Sequence, residues 1–420
     1  TFFFASELKA LKTHPEFSPD INRDMVPLLL RHSYIPAPYS IYRGINKLMP
    51  GTLLQIGLDE LVQKILPEPQ KYWDINQVAA QGIARPFEGD GPQMQALVAR
   101  AVEKAVQCRM ISDVPLGAFL SGGIDSSLIV ALMQKNSTTP VRTFTIGFET
   151  RDYNEADAAR KVAKHLGCDH TELFVTPEQA LAVIPDLPEL YDEPFADSSQ
   201  IPTHLVSKLT RDHVTVALSG DGGDELFAGY NRHFWGRHLY DKFQSYPIGA
   251  RQGMAGLIRA LSPAQWNRLF SILGPVFPEK LRQTMPGDKL AKLGQVLKSP
   301  SREDFYYSLT GWWQDPESIV KNAREPQTLL NDFNSWPRVD DFTHLMQLMD
   351  MQTYLPDDIL TKVDRASMGA SLEARAPFLD RNLVALSWQV PLDAKIRPDQ
   401  GKKILKEVLY RYVPKEIVDR

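Results

Sequence analysis

A chain of 420 residues with 43% apolar content can build two or three domains with a sizeable core. A formal net charge of −4 without a Lys/Arg block removes the electrostatic footprint of a nucleic-acid binder, and no apolar run approaches the roughly 18 residues of a membrane span. The two cysteines, Cys108 and Cys168, lack metal-ligand spacing and read as reduced, buried thiols of a cytoplasmic protein.

In chain order, residues 1–83 mix short β-like runs (Phe2 to Phe4, Thr52 to Ile56) with one helix-like stretch and turn signals such as Pro50-Gly51. The first run reads as a strand already under way, and the chain stops at Val418-Asp419-Arg420 without a closing element, as a piece cut at both ends would. The Gly/Pro-rich patch from Gly82 to Pro92 reads as a linker, so the expected units are 1–83, a linker over 84–92, and 93–420. The last divides into a core to residue 230 and a helical part beyond it. Met94, Leu97, Val98, Ala101, Val102 and Ala105 recur at helical spacing after the linker.

The stretch from Leu116 to Met133 is the most informative. An apolar run, Leu116 to Leu120, passes directly into Ser121-Gly122-Gly123-Ile124-Asp125-Ser126-Ser127 and then an apolar helix starting at Ser126. Paired glycines let successive N–H groups converge on one anion, and the helix adds its positive end. Ser121, Ser126 and Ser127 add hydroxyl donors, so the turn suits a phosphate or pyrophosphate, with Asp125 placed to hold a metal ion. An isolated Ser-Gly-Gly is more often a surface turn with a capping serine; the strand before and the helix after weigh against that here. No Walker string occurs in the chain.

Val141 to Phe148 alternates like a strand, a helix is expected from Asn154 to Leu166, and a strand from Thr171 to Val175. Helical Ile201 to Thr210 precedes the β-branched run Val214 to Leu218, which ends in Ser219-Gly220-Asp221-Gly222-Gly223-Asp224-Glu225. This alternation predicts an α/β fold with a doubly wound parallel sheet, a helical C-terminal part and a β-rich N-terminal remnant. The strands ending at Ser121 and Ser219 are expected to be neighbours at the switch point, where such sheets bind ligands. Glu225 stands where a dinucleotide fingerprint needs its third glycine, which excludes that reading. Asp221 and Asp224 are either turn carboxylates or, for Asp224, a second metal ligand beside Asp125. Aromatic groups between Asn231 and Pro337, among them Phe234, Trp235, Trp266, Phe270, Phe305, Tyr306, Trp312 and Trp313, read as packing. Charges crowd Leu355 to Met368 and lead to Glu373 to Asp380, and Gly401-Lys402-Lys403 opens the last helix.

The strings SGGIDSS, SGDGGDELFAGY, LPDDILTKVDRASM, EARAPFLD and GKKILKE occur in the order seen in glutamine-hydrolysing asparagine synthetases. Over nearly its whole length the chain resembles the synthetase domain of that family, which belongs to the ATP pyrophosphatase superfamily and has an adenine-nucleotide α-hydrolase-like fold. Tyr191 to Ser199 is similar to bacterial members associated with polysaccharide clusters. The resemblance implies that ATP adenylates the side chain of aspartate and that ammonia then displaces AMP. It implies that Leu120, Ile146, Ser219 and Gly220 line adenine and ribose, and that Ser121, Gly122, Gly123, Ser126 and Ser127 hold pyrophosphate. Asp125 and Asp224 would bind Mg²⁺, and Lys402 rather than Lys403 would be the catalytic lysine. Asp221 would be the second catalytic residue; it departs from the Glu common in the family, and its shorter reach bears on the acceptor acid. Phe4 to Leu11, Met49 to Thr52 and Tyr72-Trp73 resemble the closing part of the glutaminase domain, whose N-terminal cysteine nucleophile does not occur here.

The implied partners are small molecules: a carboxylic acid, ATP, and ammonia or glutamine, with neither nucleic acid nor membrane, while a homodimer stays open. The alternatives are amidation of another carboxylate such as a sugar acid, a β-lactam-forming synthetase, a tRNA-modifying enzyme sharing SGGxDS, and a non-catalytic relative.

Overall fold

The computed structural model describes residues 2–148, 155–273, 286–397 and 400–419. Its centre is a sheet of five parallel strands: β1 (Leu116–Phe119), β2 (Arg142–Phe148), β3 (Asp169–Val175), β4 (Val216–Leu218) and β5 (Glu373–Arg375). Their spatial order is β3-β2-β1-β4-β5, with Gly117 opposite both Arg142 and Ala217, and Val216 opposite Glu373. The order reverses between β1 and β4, so the expected neighbours do flank the switch point of a doubly wound sheet.

Ten helices complete what positions the site. They are α1 (Ile75–Ala84), α2 (Gly91–Arg109), α3 (Ile124–Lys135), α4 (Ala156–Leu166), α5 (Gln200–Arg211), α6 (Gly223–Leu226), α7 (Phe342–Gln352), α8 (Thr361–Met368), α9 (Arg381–Gln389) and α10 (Lys403–Leu409). Strand side chains alternate between two cores. Ala118 and Leu120 pack with Val98 and Val102 of α2, Leu128 to Met133 of α3, Val162 of α4 and Leu405 of α10. Phe119, Phe144 and Ala217 face the opposite way, towards Val206 and Leu209 of α5.

The starts of these helices are written locally. Asp90 caps α2 by accepting from Gln93 N at 2.8 Å, while Gln93 Oε1 accepts from Asp90 N at 3.3 Å, and Pro92 fits the first turn. Gly167 ends α4 in the left-handed conformation, at φ 71°. α3 runs from the phosphate-type turn without a linker, and the residues from Ser126 to Met133 are all buried, so it is a core helix rather than an amphipathic one.

Several expectations need correction. The part beyond residue 230 is not wholly helical, because β5 comes from it and completes the sheet; three residues are too few to show a strand's alternation. Phe2 to Phe4 form no strand, and Phe4 is exposed, since nothing pairs with that run. Of Thr52 to Ile56 only Thr52–Leu53 is strand, paired with Gln70–Lys71. Gly82 and Ala84 belong to α1 rather than to a linker: a Cβ at Gly82 would meet Trp388 Cβ at 2.4 Å, so this glycine serves helix packing. α2 already begins at Gly91, which shortens the connection to residues 85–90. α3 begins at Ile124, two residues before the expected start. Cys108 is exposed and Cys168 half-buried, both as free thiols. Phe305 and Tyr306 are core, but Trp235, Trp312 and Trp313 are exposed. The expected helix start at Asn154 and residues 274–285 of the helical stretch lie outside the described residues. Among the described residues no helix is long and apolar enough to cross a membrane.

Candidate active site

The first wall of the site is the turn after β1. Leu120 is buried and its N–H donates to Phe144 O at 2.9 Å; Ile146 lies two residues further along β2, beside the same carboxyl edge. Gly122 turns at φ 71°, where a Cβ would stand 2.6 Å from Ala159 N, so glycine alone lets the loop lie against the start of α4. Ser121 Oγ accepts from Gly123 N at 3.2 Å and pairs with Ser126 Oγ at 3.0 Å. This holds the two hydroxyls together at the N-terminus of the 12-residue α3, whose first N–H groups have no intrahelical acceptor. Ser127 is fully buried behind them, its Oγ without a protein partner, and so stands apart from the exposed part of the turn.

The second wall is the turn after β4. Ser219 N donates to Arg375 O of β5 at 2.9 Å. A Cβ at Gly220 would lie 2.9 Å from both Asp125 Cβ and Ser126 N, and one at Gly223 would lie 2.6 Å from Asp125 Cγ. The two loops therefore touch through their glycines. Gln347 of α7 holds the turn from behind, donating from Nε2 to Glu225 O at 2.7 Å and Leu226 O at 3.1 Å.

Lys402 closes the site from the far end of the chain. α10 is anchored by buried Ile404, Leu405, Val408 and Leu409, and Lys402 precedes it in a left-handed conformation at φ 56°. Its N–H donates to Phe227 O at 3.1 Å, tying the strap to the second loop. Its Nζ reaches Asp125 Oδ2 and, at 2.7 Å, Asp224 Oδ1, with Gly229 beneath it: a Cβ there would meet Lys402 Cε at 2.1 Å. Lys403 turns away, donating to Asp393 O at 3.0 Å.

Burial pushes the Asp125 carboxyl up to about 6, with Asp224 and Asp221 adding to the shift and Lys402 opposing it. Burial pulls the Lys402 ammonium down, but the two carboxylates outweigh it and its pKa is raised. Burial also raises Asp221, against the Ser219 hydroxyl and Lys362. Asp221 lines a cleft of about 220 Å³ with Ser219, Leu360, Val363, Ser367 and Ala376.

Asp125 and Asp224 offer the carboxylate oxygens that a hard cation such as Mg²⁺ takes. Asp125 Oδ1 is a buried oxygen without a partner, and Asp125 and Asp224 face one point from two loops. Among the described residues no group of three or more acidic, His or Cys side chains forms a metal cage, so an ion here would need oxygens from elsewhere to complete its shell.

Tertiary packing adds residues to which the sequence assigned no role. Lys362 Nζ donates to Asp197 Oδ2 and Ser199 Oγ, each at 2.8 Å, joining two of the family-like strings next to Asp221. Opposite charges within those strings were the available signal. Behind the second loop Tyr230 OH donates to buried Glu225 at 2.6 Å, and the Arg232 guanidinium lies 4.0 Å from the Tyr230 ring centroid. Arg232, His233 and Tyr306 converge on buried Asp350. Glu225 is pushed up to about 7 by burial, opposed by the Tyr230 hydroxyl.

Residues 97–420 match the family described as asparagine synthase, and residues 1–73 match the glutamine amidotransferase domain. The chain is 28% identical to asparagine synthetase (glutamine-hydrolyzing) 1 of Bacillus subtilis, over 100% of this chain and 61% of that protein. It is 25% identical to asparagine synthetase (glutamine-hydrolyzing) 3 of the same organism, over 100% of this chain and 60% of that protein. It therefore spans about three fifths of the length of these relatives. Among solved structures, the U34-tRNA thiolase NcsA from Methanococcus maripaludis is 10% identical, covering 78% of this chain and 89% of that one at a TM-score of 0.26.

Proposed function

Because the chain belongs to the asparagine synthase family, we propose that it serves an ATP-dependent amidotransferase that converts aspartate to asparagine through an aspartyl-AMP intermediate. The observation that carries this reading is the meeting of Lys402 with Asp125 and Asp224 at the mouth of two glycine-rich loops on the switch point. A side-chain carboxylate oxygen of the acceptor attacks the α-phosphorus of ATP, the bond to the β-phosphate oxygen breaks, and pyrophosphate leaves. Ammonia then attacks the acyl carbon, AMP departs with the electron pair, and the surplus ammonium proton passes to water.

Ser121, Gly122, Gly123 and Ser126 hold the departing pyrophosphate with hydroxyl and N–H donors, and Ser127 supports them from behind. Leu120, Ile146, Ser219 and Gly220 line adenine and ribose. Lys402 stabilises the charge that grows on the α-phosphoryl oxygens as the carboxylate attacks. Asp125 and Asp224 would hold Mg²⁺, which would supply charge neutralisation to the phosphates. Asp221 and the Lys362–Asp197 pair face the acceptor side. Residues up to 84 belong, in this reading, to the glutaminase part that delivers ammonia from glutamine, with 85–90 as the connection and the chain from Gly91 onwards as the synthetase.

The test is release of AMP and pyrophosphate by the purified chain from ATP, aspartate and ammonia. Aspartate-dependent AMP formation with asparagine as product is the expected result. Asp221, one methylene shorter than the family's usual Glu, favours a second reading in which another carboxylic acid is the acceptor. AMP formation with a sugar acid and none with aspartate selects that reading; none with any acid refutes adenylation.

A further inference from the structure

Resting on the metal and nucleotide reading above, we propose that Lys402 is the built-in counter-ion of the free protein. It occupies the metal position between Asp125 and Asp224, so that a divalent cation enters only together with the nucleotide phosphates. Lys402 Nζ lies 2.7 Å from Asp224 Oδ1 and bonds Asp125 Oδ2 as well. A Mg²⁺ ion contacts carboxylate oxygens at about 2.0–2.1 Å. An ion touching both of these oxygens falls inside the volume of the ammonium group, so the two cations exclude one another.

Charge leads to the same exclusion. Two carboxylates with one ammonium leave a single net negative charge, a weak lure for a strongly hydrated divalent ion. Phosphate oxygens change the balance twice over: they complete the metal's shell, and they give the displaced ammonium a new set of acceptors. The move needs no backbone change. Lys402 N stays bonded to Phe227 O, α10 stays anchored through Leu405, and the side chain lies over Gly229, where no Cβ blocks it. The lysine thus hands its carboxylates to the metal as it turns to the nucleotide, which prevents a metal-loaded, nucleotide-free state.

Mn²⁺, followed by electron paramagnetic resonance of the free ion, tests this on the whole chain. Nucleotide-free wild type is expected to show no saturable Mn²⁺ binding that depends on Asp125. Lys402→Met is expected to tighten free Mn²⁺ binding at least about tenfold, because a unit charge has left the site. Adding Asp125→Asn should abolish that gain, and Lys402→Arg should still refuse the ion. Mn²⁺ should raise the melting temperature of Lys402→Met and leave wild type unmoved. Saturable, Asp125-dependent Mn²⁺ binding to nucleotide-free wild type overturns the proposal without recourse to any lysine variant, as does equal affinity in wild type and Lys402→Met. Binding of ATP to wild type, measured by dialysis with Mn²⁺ present, is the separate arm: its absence sinks the nucleotide reading and with it entry of the ion alongside the phosphates, and leaves only the competition between the two cations standing.

Discussion

The strap before α10 offers a steric test of the site. Gly401 has no Cβ; one placed there would lie 2.0 Å from Ala228 O, 2.9 Å from Ala228 C and 3.0 Å from Gly229 Cα. Ordinary contact begins near 3.4 Å, so Gly401→Ala forces the two backbones apart by about 1.4 Å. Neither side gives way easily. Ala228 already sits at φ 55°, and Leu405 holds the following helix in the core. The displacement therefore passes to Lys402, whose N–H shares the same loop. Backbone crowding of this kind costs about 1–3 kcal/mol of stability, and misplacing a catalytic group by about 1 Å costs on the order of a hundredfold in rate, roughly 2.7 kcal/mol of barrier. Urea denaturation and acceptor-dependent ATP–pyrophosphate exchange read the two effects separately. A Gly401→Ala protein with wild-type exchange and wild-type stability would refute the close approach of strap and loop on which the site depends.

Lys402→Ala should lower turnover about a hundredfold or more, whereas Lys403→Ala, whose ammonium bonds Asp393 O away from the two loops, should be mild; equal losses in exchange assays would overturn the assignment. Asp125→Asn should lower pyrophosphate exchange at least about a hundredfold while the circular dichroism stays unchanged, since only charge is removed; undiminished exchange would reduce Asp125 to a turn residue. Burial pushes Asp357 up to about 7, against Lys47 and the Ala37 N–H. The folded protein therefore retains a proton there that the unfolded chain has lost, and the stability this contributes is full below about pH 4 and fades as pH rises to about 7. Urea denaturation from pH 4 to 8 should show a flatter pH slope for Asp357→Asn than for wild type, and identical slopes would count against it.

What the sequence determined by itself is what short stretches carry. Glycine pairs, hydroxyls and alternating β-branched runs mark the turns after β1 and β4, because backbone freedom and period-2 burial act within a few residues. The same local signals imply that these strands are neighbours, and their pairing bears this out. Local signals also misled. Gly82 looks like a linker glycine but is the flat face on which Trp388 packs, and three residues at 373–375 carry no readable period although they complete the sheet.

Only the tertiary structure decided how charges meet. Lys402 reaches Asp125 across 277 positions of sequence, and Lys362 reaches Asp197 across 165. Nothing local encodes either pair. Each exists because apolar faces far from the charges, Leu405 on the core of α3 among them, bury and fix the elements that carry them. Hydrophobic burial is not directional, but once the elements pack closely it leaves each ammonium one place to go.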